Sequence, residues 1–211
     1  MPYLFTRSAR LAPGNILDSM AWAAKITEKV NTAGDLQFSL WTRVFSPGVG
    51  TLAWSTVIEN VADLVTNNDK LEADGGYIEL AEEGAKYGNG AGFDDALINL
   101  IHADPGGPNA QFASLTTAVI ASGQGANAIA LGVEMAGRIK AITGRPTSFG
   151  ASVTGPFGEI GWISMADTIE QVQQAGELIG ADAAFGALID EKASKAYAPG
   201  SGQRWMSRKI M

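Results

Sequence analysis

The sequence predicts an α+β fold made of two consecutive units of the same order, strand-helix-strand-strand-helix-strand. Three observations carry that expectation. Gly50-Thr-Leu-Ala-Trp54 returns as Gly158-Glu-Ile-Gly-Trp162, and Ala73-Asp74 returns as Ala181-Asp182, each pair 108 positions apart. Around both tryptophans apolar residues alternate at period two, and after them they recur at helical spacing. The strongest composition shift in the chain, Ala103-Asp-Pro-Gly-Gly-Pro-Asn109, falls where one unit hands over to the next. The expected organisation is a first unit over 1–103, a linker over 104–110 and a second unit over 111–211.

The elements follow in order. Residues 3–11 are rich in aromatic and β-compatible side chains and stop at Pro13-Gly14, which predicts a strand. Asn15 is placed to cap a helix whose apolar positions Ile16, Met20, Ala23, Thr27 and Val30 step by fours and threes, with Gly34 where a C-terminal cap belongs. Residues 37–45 form a second strand, and Ser46-Pro-Gly-Val-Gly50 turns it into a third over 51–58, close enough to pair as a hairpin. Val61, Leu64, Asn68 and Leu71 then mark a helix, and Asp74 restarts one through Tyr77, Leu80, Ala81 and Gly84. Gly88-Asn-Gly-Ala-Gly92 reads as a flexible link before a short fourth strand over 96–101.

The second unit repeats this plan. Strands are expected over 112–121, 148–154, 159–165 and 203–210. A helical stripe through Leu131, Met135, Ile139 and Ile142 ends at Gly144-Arg-Pro146, and another runs through Ile169, Val172, Gly176 and Ile179 before Asp182 restarts it. The order β-α-β-β-α-β is that of the split βαβ, or ferredoxin-like, unit, whose antiparallel sheet carries both helices on one face. Residues 3–11 and 37–45 carry large side chains on both faces, so the second face also needs cover. Two such sheets in one chain supply it, either packed together or curled into a shared barrel.

Composition narrows the function classes. A formal charge of -7 repels phosphate backbones, so nucleic acid is not an expected partner. The absence of cysteine removes disulfides, thiolate catalysis and cysteine-ligated metals. No apolar run approaches the roughly 20 residues that span a bilayer, and Met-Pro-Tyr-Leu-Phe-Thr-Arg7 lacks the pattern of a secretory signal, so a cytoplasmic protein without membrane insertion is expected.

The doubled unit resembles the dimeric α/β-barrel superfamily. The run Gly50-Thr-Leu-Ala-Trp-Ser55, followed by a helix and by Leu71-Glu-Ala-Asp74, is similar to its NIPSNAP-like and antibiotic-biosynthesis-monooxygenase-like branches. That resemblance implies an intrachain pair of units doing the work of two chains. It also implies a range of chemistries, from cofactor-independent monooxygenases through haem proteins and isomerases to proteins without activity, so fold membership decides little about function.

Candidate site residues come from an asymmetry between the copies. Arg7 with Tyr3 and Phe5, and Arg43 with Trp41 and Phe45, would set two cations among aromatics if each group shares a strand face, whereas Thr116 and Ala151 stand at the corresponding places of the second copy. Arg7, Arg43, Trp41 and Trp54 are therefore the expected ligand-binding residues. The competing reading has both arginines at strand ends, or paired with Glu59 and Asp63. Trp54 and Trp162 serve equally as core aromatics, and Asp74 and Asp182 read as helix N-caps rather than as a carboxylate pair. His102, the sole histidine, has no counterpart in the second copy and reads as a loop residue before a catalytic or haem-ligating one. No metal site and no cofactor are expected. The leading function is binding of an anionic or aromatic small molecule, with cofactor-independent oxygenation or isomerisation as the catalytic form. The alternative is a non-enzymatic homo-oligomer or partner-binding protein, favoured by the small residues of 125–137 and 181–187.

Overall fold

In the computed structural model, which describes residues 1–14 and 16–211, strand β1 (Tyr3–Leu11) pairs antiparallel with β3 (Thr51–Ile58), placing Arg7 opposite Trp54 and Ala9 opposite Leu52. Strand β2 (Ser39–Val44) flanks the other edge of β3, with Leu40 opposite Trp54. Side chains alternate along a strand, so Phe5, Arg7, Leu40 and Trp54 share one face while Trp41 and Arg43 share the other. Helix α1 (Ile16–Ala33) packs on the first of these faces through Trp22, Ala23 and Thr27, which are buried, whereas Ile16 is exposed. The expected cap Asn15 lies outside the described residues.

Helices α2 (Val61–Glu72) and α3 (Gly75–Gly84) meet at Asp74, whose carboxylate accepts the Tyr77 N–H at 2.9 Å. Strand β4 (Gly88–His102) is much longer than expected. Gly88 to Gly92 is strand and not a link: Gly90 and Gly92 take φ of +84° and +79°, kinks that only glycine makes without strain, so a stretch with the composition of a breaker lies within a strand. With residues 208–211, the first 97 residues form one compact unit, whose core is Ala9, Trp22, Ala23, Leu40, Leu52 and Trp54.

Residues 98–207 form the second unit. Strand β5 (Phe112–Val119) pairs antiparallel with β7 (Glu159–Ala166), and β6 (Thr147–Ser152) flanks β7. Thr116 faces Trp162 just as Arg7 faces Trp54, and Phe149 faces Trp162 just as Leu40 faces Trp54. The counterpart of Arg43 is consequently Ser152 and not Ala151, a slip of one residue that reverses the strand face. Helix α4 (Gly125–Thr143) ends at Gly144 in the left-handed conformation. Helix α5 (Ile169–Ala181) is followed at Asp182, which caps the Phe185 N–H at 2.7 Å, by α6 (Ala183–Leu188). That helix widens into a π turn over Ile189–Ala193 and leads to the closing strand β8 (Gln203–Lys209). The core here is larger, with Leu131, Met135, Phe149, Ile160, Trp162, Phe185, Leu188 and Tyr197 buried together.

The eight strands hydrogen-bond in the order β1-β3-β2-β8-β5-β7-β6-β4 and close into a barrel. Each half of the chain thus has the ferredoxin-like order of elements. No helix among the described residues is long and apolar enough to cross a membrane.

Gly132 and Gly137 of α4 give a contrasting pair for substitution. A Cβ at Gly132 would lie 2.1 Å from Phe149 Cζ, whereas one at Gly137 meets nothing within 4 Å. Gly132→Ala is expected to destabilise the chain by about 1–3 kcal/mol through overpacking, and Gly137→Ala to stabilise it by about 0.5–1 kcal/mol. Urea unfolding followed by circular dichroism reads both.

Candidate functional site

Between the helices and the sheet face of the first unit lies a cavity of about 420 Å³. Phe5, Arg7, Trp54 and Phe38 reach it from strands β1 to β3, Phe93 and Asp95 from β4, and Trp22 and Ile26 from α1, while α2 and α3 cover it through Leu64, Leu71, Tyr77 and Ala81. Its walls are mainly apolar, and six of the sixteen lining residues are aromatic. Trp22 and Trp54 meet edge to face at 6.0 Å, Trp54 and Phe93 at 6.3 Å, and Phe5 and Phe38 at 6.2 Å. Phe93 remains 56% exposed, so one aromatic wall is open to water.

The polar element is an ion pair. Arg7 Nε and Nη2 donate to the two carboxylate oxygens of Asp95 at 2.8 and 2.7 Å. The guanidinium also stands over the Phe5 and Phe93 rings, at 5.9 and 5.8 Å. Hydrogen bonding to Asp95 raises the Arg7 pKa above its ordinary value, against the opposing effect of burial. The pair therefore enters the cavity charged on both sides and neutral in sum.

The indoles are pinned. Trp54 Nε1 donates to Thr27 Oγ1 at 2.7 Å, and Trp22 Nε1 to the Leu80 carbonyl at 2.8 Å, which ties α3 to α1. Gly84 allows that approach, because a Cβ there would lie 2.3 Å from the Trp22 ring. Lys29 and the Tyr77 N–H hold the Asp74 carboxyl below its ordinary value of 3.8, anchoring the helix that carries Tyr77 and Ala81.

Of the residues expected from the sequence, the structure brings Arg7 and Trp54 together in this cavity. Trp41 and Arg43 lie on the opposite strand face: Trp41 Nε1 donates to Ser55 Oγ at 2.9 Å beneath the Lys209 ammonium, and Arg43 Nη1 reaches the Pro47 carbonyl at 3.4 Å in its own hairpin. His102 ends β4 opposite Phe149 and lines neither this cavity nor the smaller one of the second unit. Among the described residues no three acidic or histidine side chains converge as a metal site would require. Sequence reasoning missed Asp95, Phe93 and Trp22. Asp95 sits 88 positions from Arg7 beside the glycines read as a link. Trp22 had a usable signal, the i, i+4, i+8 row Trp22, Ile26, Val30 that lines the cavity.

At the corresponding place of the second unit the described aromatic side chains pack against one another. Trp162 packs against Phe149 at 5.3 Å and Tyr197 at 5.5 Å, and Tyr197 Oη donates to the Ala128 carbonyl at 2.9 Å. Burial raises the Tyr197 phenol pKa, which keeps it a neutral donor.

Two outcomes test this description. In a double-mutant cycle with Arg7→Met and Asp95→Leu, urea unfolding is expected to give a coupling of about 0.5–1 kcal/mol, the size proper to a half-exposed bidentate pair. Asp74 has a depressed folded pKa, so its contribution is present above the unfolded value and is lost as pH falls through the folded one. Asp74→Ala should lower the thermal unfolding midpoint at pH 7, and its gap from the unsubstituted protein should close progressively below pH about 4, as followed by circular dichroism.

No family model matches the chain, and no curated protein matches it. Solved structures do. A candidate monooxygenase from Fusobacterium nucleatum superposes with a TM-score of 0.73 at 8% identity, covering 100% of this chain and 93% of its own. A candidate monooxygenase from Lactobacillus acidophilus gives 0.68 at 10% identity over 99% and 93%. An anthrone oxidase-like protein gives 0.67 at 10% identity over 100% and 91%. At these identities the likeness concerns the fold. This chain has the dimeric α/β-barrel fold, with both ferredoxin-like halves on one polypeptide.

Proposed function

We propose that the first unit binds a small, flat aromatic molecule in the cavity between its sheet and its helices, and that the catalytic form of this activity is cofactor-independent oxygenation or isomerisation. The observation that carries the reading is the asymmetry between the units. An aromatic cavity of about 420 Å³ with one ion pair stands in the first, and the equivalent space in the second is filled by Phe149, Trp162 and Tyr197. That volume falls in the range of small-molecule sites, roughly 300–1,000 Å³, which are mainly apolar with a few placed polar groups. Rings at 6.0 to 6.3 Å from one another offer edges and faces for an aromatic guest.

The ion pair selects within that class. Because Asp95 already neutralises Arg7, a free anion gains little by entering, whereas a neutral ketone or phenol meets a fixed cation for its oxygen and a carboxylate for its acidic proton. In oxygenation, the substrate C–H gives its proton to a base, for which Asp95 is the carboxylate in the lining. The resulting carbanion, its enolate oxygen held by Arg7, is oxidised by dioxygen. One oxygen atom forms a new bond to carbon, the O–O bond breaks, and the other leaves as water, so a CH₂ becomes a C=O for each dioxygen consumed. The likeness to an anthrone oxidase-like protein supports anthrone, a neutral tricyclic ketone, as the first probe.

A second reading, self-association, is favoured by the exposed Val61 and Val65 of α2 and by Phe157, which is fully exposed in its turn. Titrating anthrone anaerobically while following tryptophan fluorescence separates the two. Saturable quenching is expected, weakened at least about tenfold by Ala81→Phe, which intrudes into the cavity without adding an indole. Dioxygen uptake on admitting air would mark an oxygenase. No saturable quenching, together with a concentration-dependent homo-oligomer in solution, would replace the proposal with the second reading.

A further inference from the structure

We infer that the second unit carries a separate site for a small molecule bearing an oxyanion, a carboxylate or a phosphate, seated on Arg145. Gly144 ends α4 with φ +70°, and the chain then turns Arg145 inward, where it is only 8% exposed. Its Nε donates to the Met165 carbonyl at 3.0 Å and its Nη2 to the Ser164 carbonyl at 3.1 Å. Among the described residues no carboxylate lies within 4.0 Å of the guanidinium. Asp104, which reaches the chain two residues on from Arg145, is committed elsewhere, to Lys140 at 2.9 Å and to the Thr147 N–H at 3.2 Å.

A cation this deep is almost always placed against a carboxylate, because two carbonyl dipoles offset only part of its desolvation. Burial accordingly pushes the Arg145 guanidinium down from its ordinary value. The missing counter-charge has a place to sit. A cavity of about 310 Å³ opens on Arg145, with Asn109, Thr143, Gln171 and Gln174 in its lining. Amides and a hydroxyl suit a small polar body, quite unlike the aromatic walls of the first unit. Helix α5 begins at Ile169, so its positive end adds to the potential there. Asp167 is the acid in the lining and is exposed, where it would accept an ammonium group on the same molecule.

If Arg145 were only a clamp between the end of α4 and the carbonyls of β7, the cavity would be indifferent to anions. Amide chemical shifts decide this. The full chain is titrated with inorganic phosphate and, separately, with acetate, each at constant ionic strength against chloride. Saturable shifts clustered over 106–110 and 167–174 are expected, and the stronger of the two probes identifies the phosphate or carboxylate source. Gln174→Glu, which puts a like charge at an exposed position of the lining, is expected to weaken the binding at least about tenfold while leaving the unfolding temperature of the free protein unchanged. Shifts no larger than with chloride, or identical in the Gln174→Glu variant, would overturn the proposal. The first unit's cavity shares none of these residues, so its probe can fail without affecting this result.

Discussion

In both units the indole N–H of a tryptophan on the third strand is buried and must find an acceptor, and in both the acceptor belongs to the first helix of that unit. An unpaired N–H at that depth would cost about 1–3 kcal/mol. The bond therefore fixes how the helix is rotated and how deep it sits on the sheet. Trp162 reaches the backbone carbonyl of Gly132 directly, at 2.9 Å. Trp54 reaches the hydroxyl of Thr27 at 2.7 Å, and that hydroxyl in turn donates to the Ala23 carbonyl at 2.6 Å. Ala23 and Gly132 are each the eighth residue of their helices, so the first unit interposes a threonine side chain between indole and carbonyl where the second has none.

The difference between an open and a filled unit grows from that insertion. Gly132 lacks a Cβ, and the Phe149 ring takes the room, with Trp162 and Tyr197 closing the rest. In the first unit Leu40 stands where Phe149 would be, too small to fill the same space. The seventh helical residue, Leu131 in the second unit, is Trp22 in the first, and it lies between Trp54 at 6.0 Å and Tyr87 at 5.6 Å. Trp22 acts as a wedge: it carries α3 through the Leu80 carbonyl, and the space beyond its edge is the cavity. A chain that needed only a stable barrel could have used the second solution twice, because close packing recovers more dispersion energy than an aromatic hollow open to water.

Much of this was legible in the sequence, and the rest failed for identifiable reasons. The caps at Asp74 and Asp182 were readable because their chemistry is local, a carboxylate facing an N–H three residues on. The strand pairings around Trp54 and Trp162 followed from period-two alternation. What could not be read was the face. Alternation says that Arg7 and Arg43 each share a side with their aromatic neighbours, but pairing register decides which side meets the helices, and it separates Arg7 from Arg43. One residue of register likewise replaced Ala151 by Ser152 as the counterpart of Arg43. Asp95 was hidden by its neighbours, since glycines that end strands elsewhere here bend one. In the sequence Arg145 stands as punctuation between Gly144 and Pro146, and nothing local announces that it turns inward.

The two arginines that matter solve opposite problems, and the solutions bear on what each unit can hold. Arg7 is half-exposed and takes a bidentate carboxylate, so its charge is balanced before any ligand arrives. On the proposed function, a guest in that cavity would be selected by shape and ring stacking, and the pair would orient it without drawing anions from solution. Arg145 is buried on two carbonyls with its charge uncompensated, an arrangement that costs stability in the free protein and returns it when an oxyanion enters. On these two proposals, electrostatics would orient at the first site and attract at the second. An overall charge of -7 sharpens that contrast, because a long-range field hostile to anions leaves only a local, desolvated cation able to capture one.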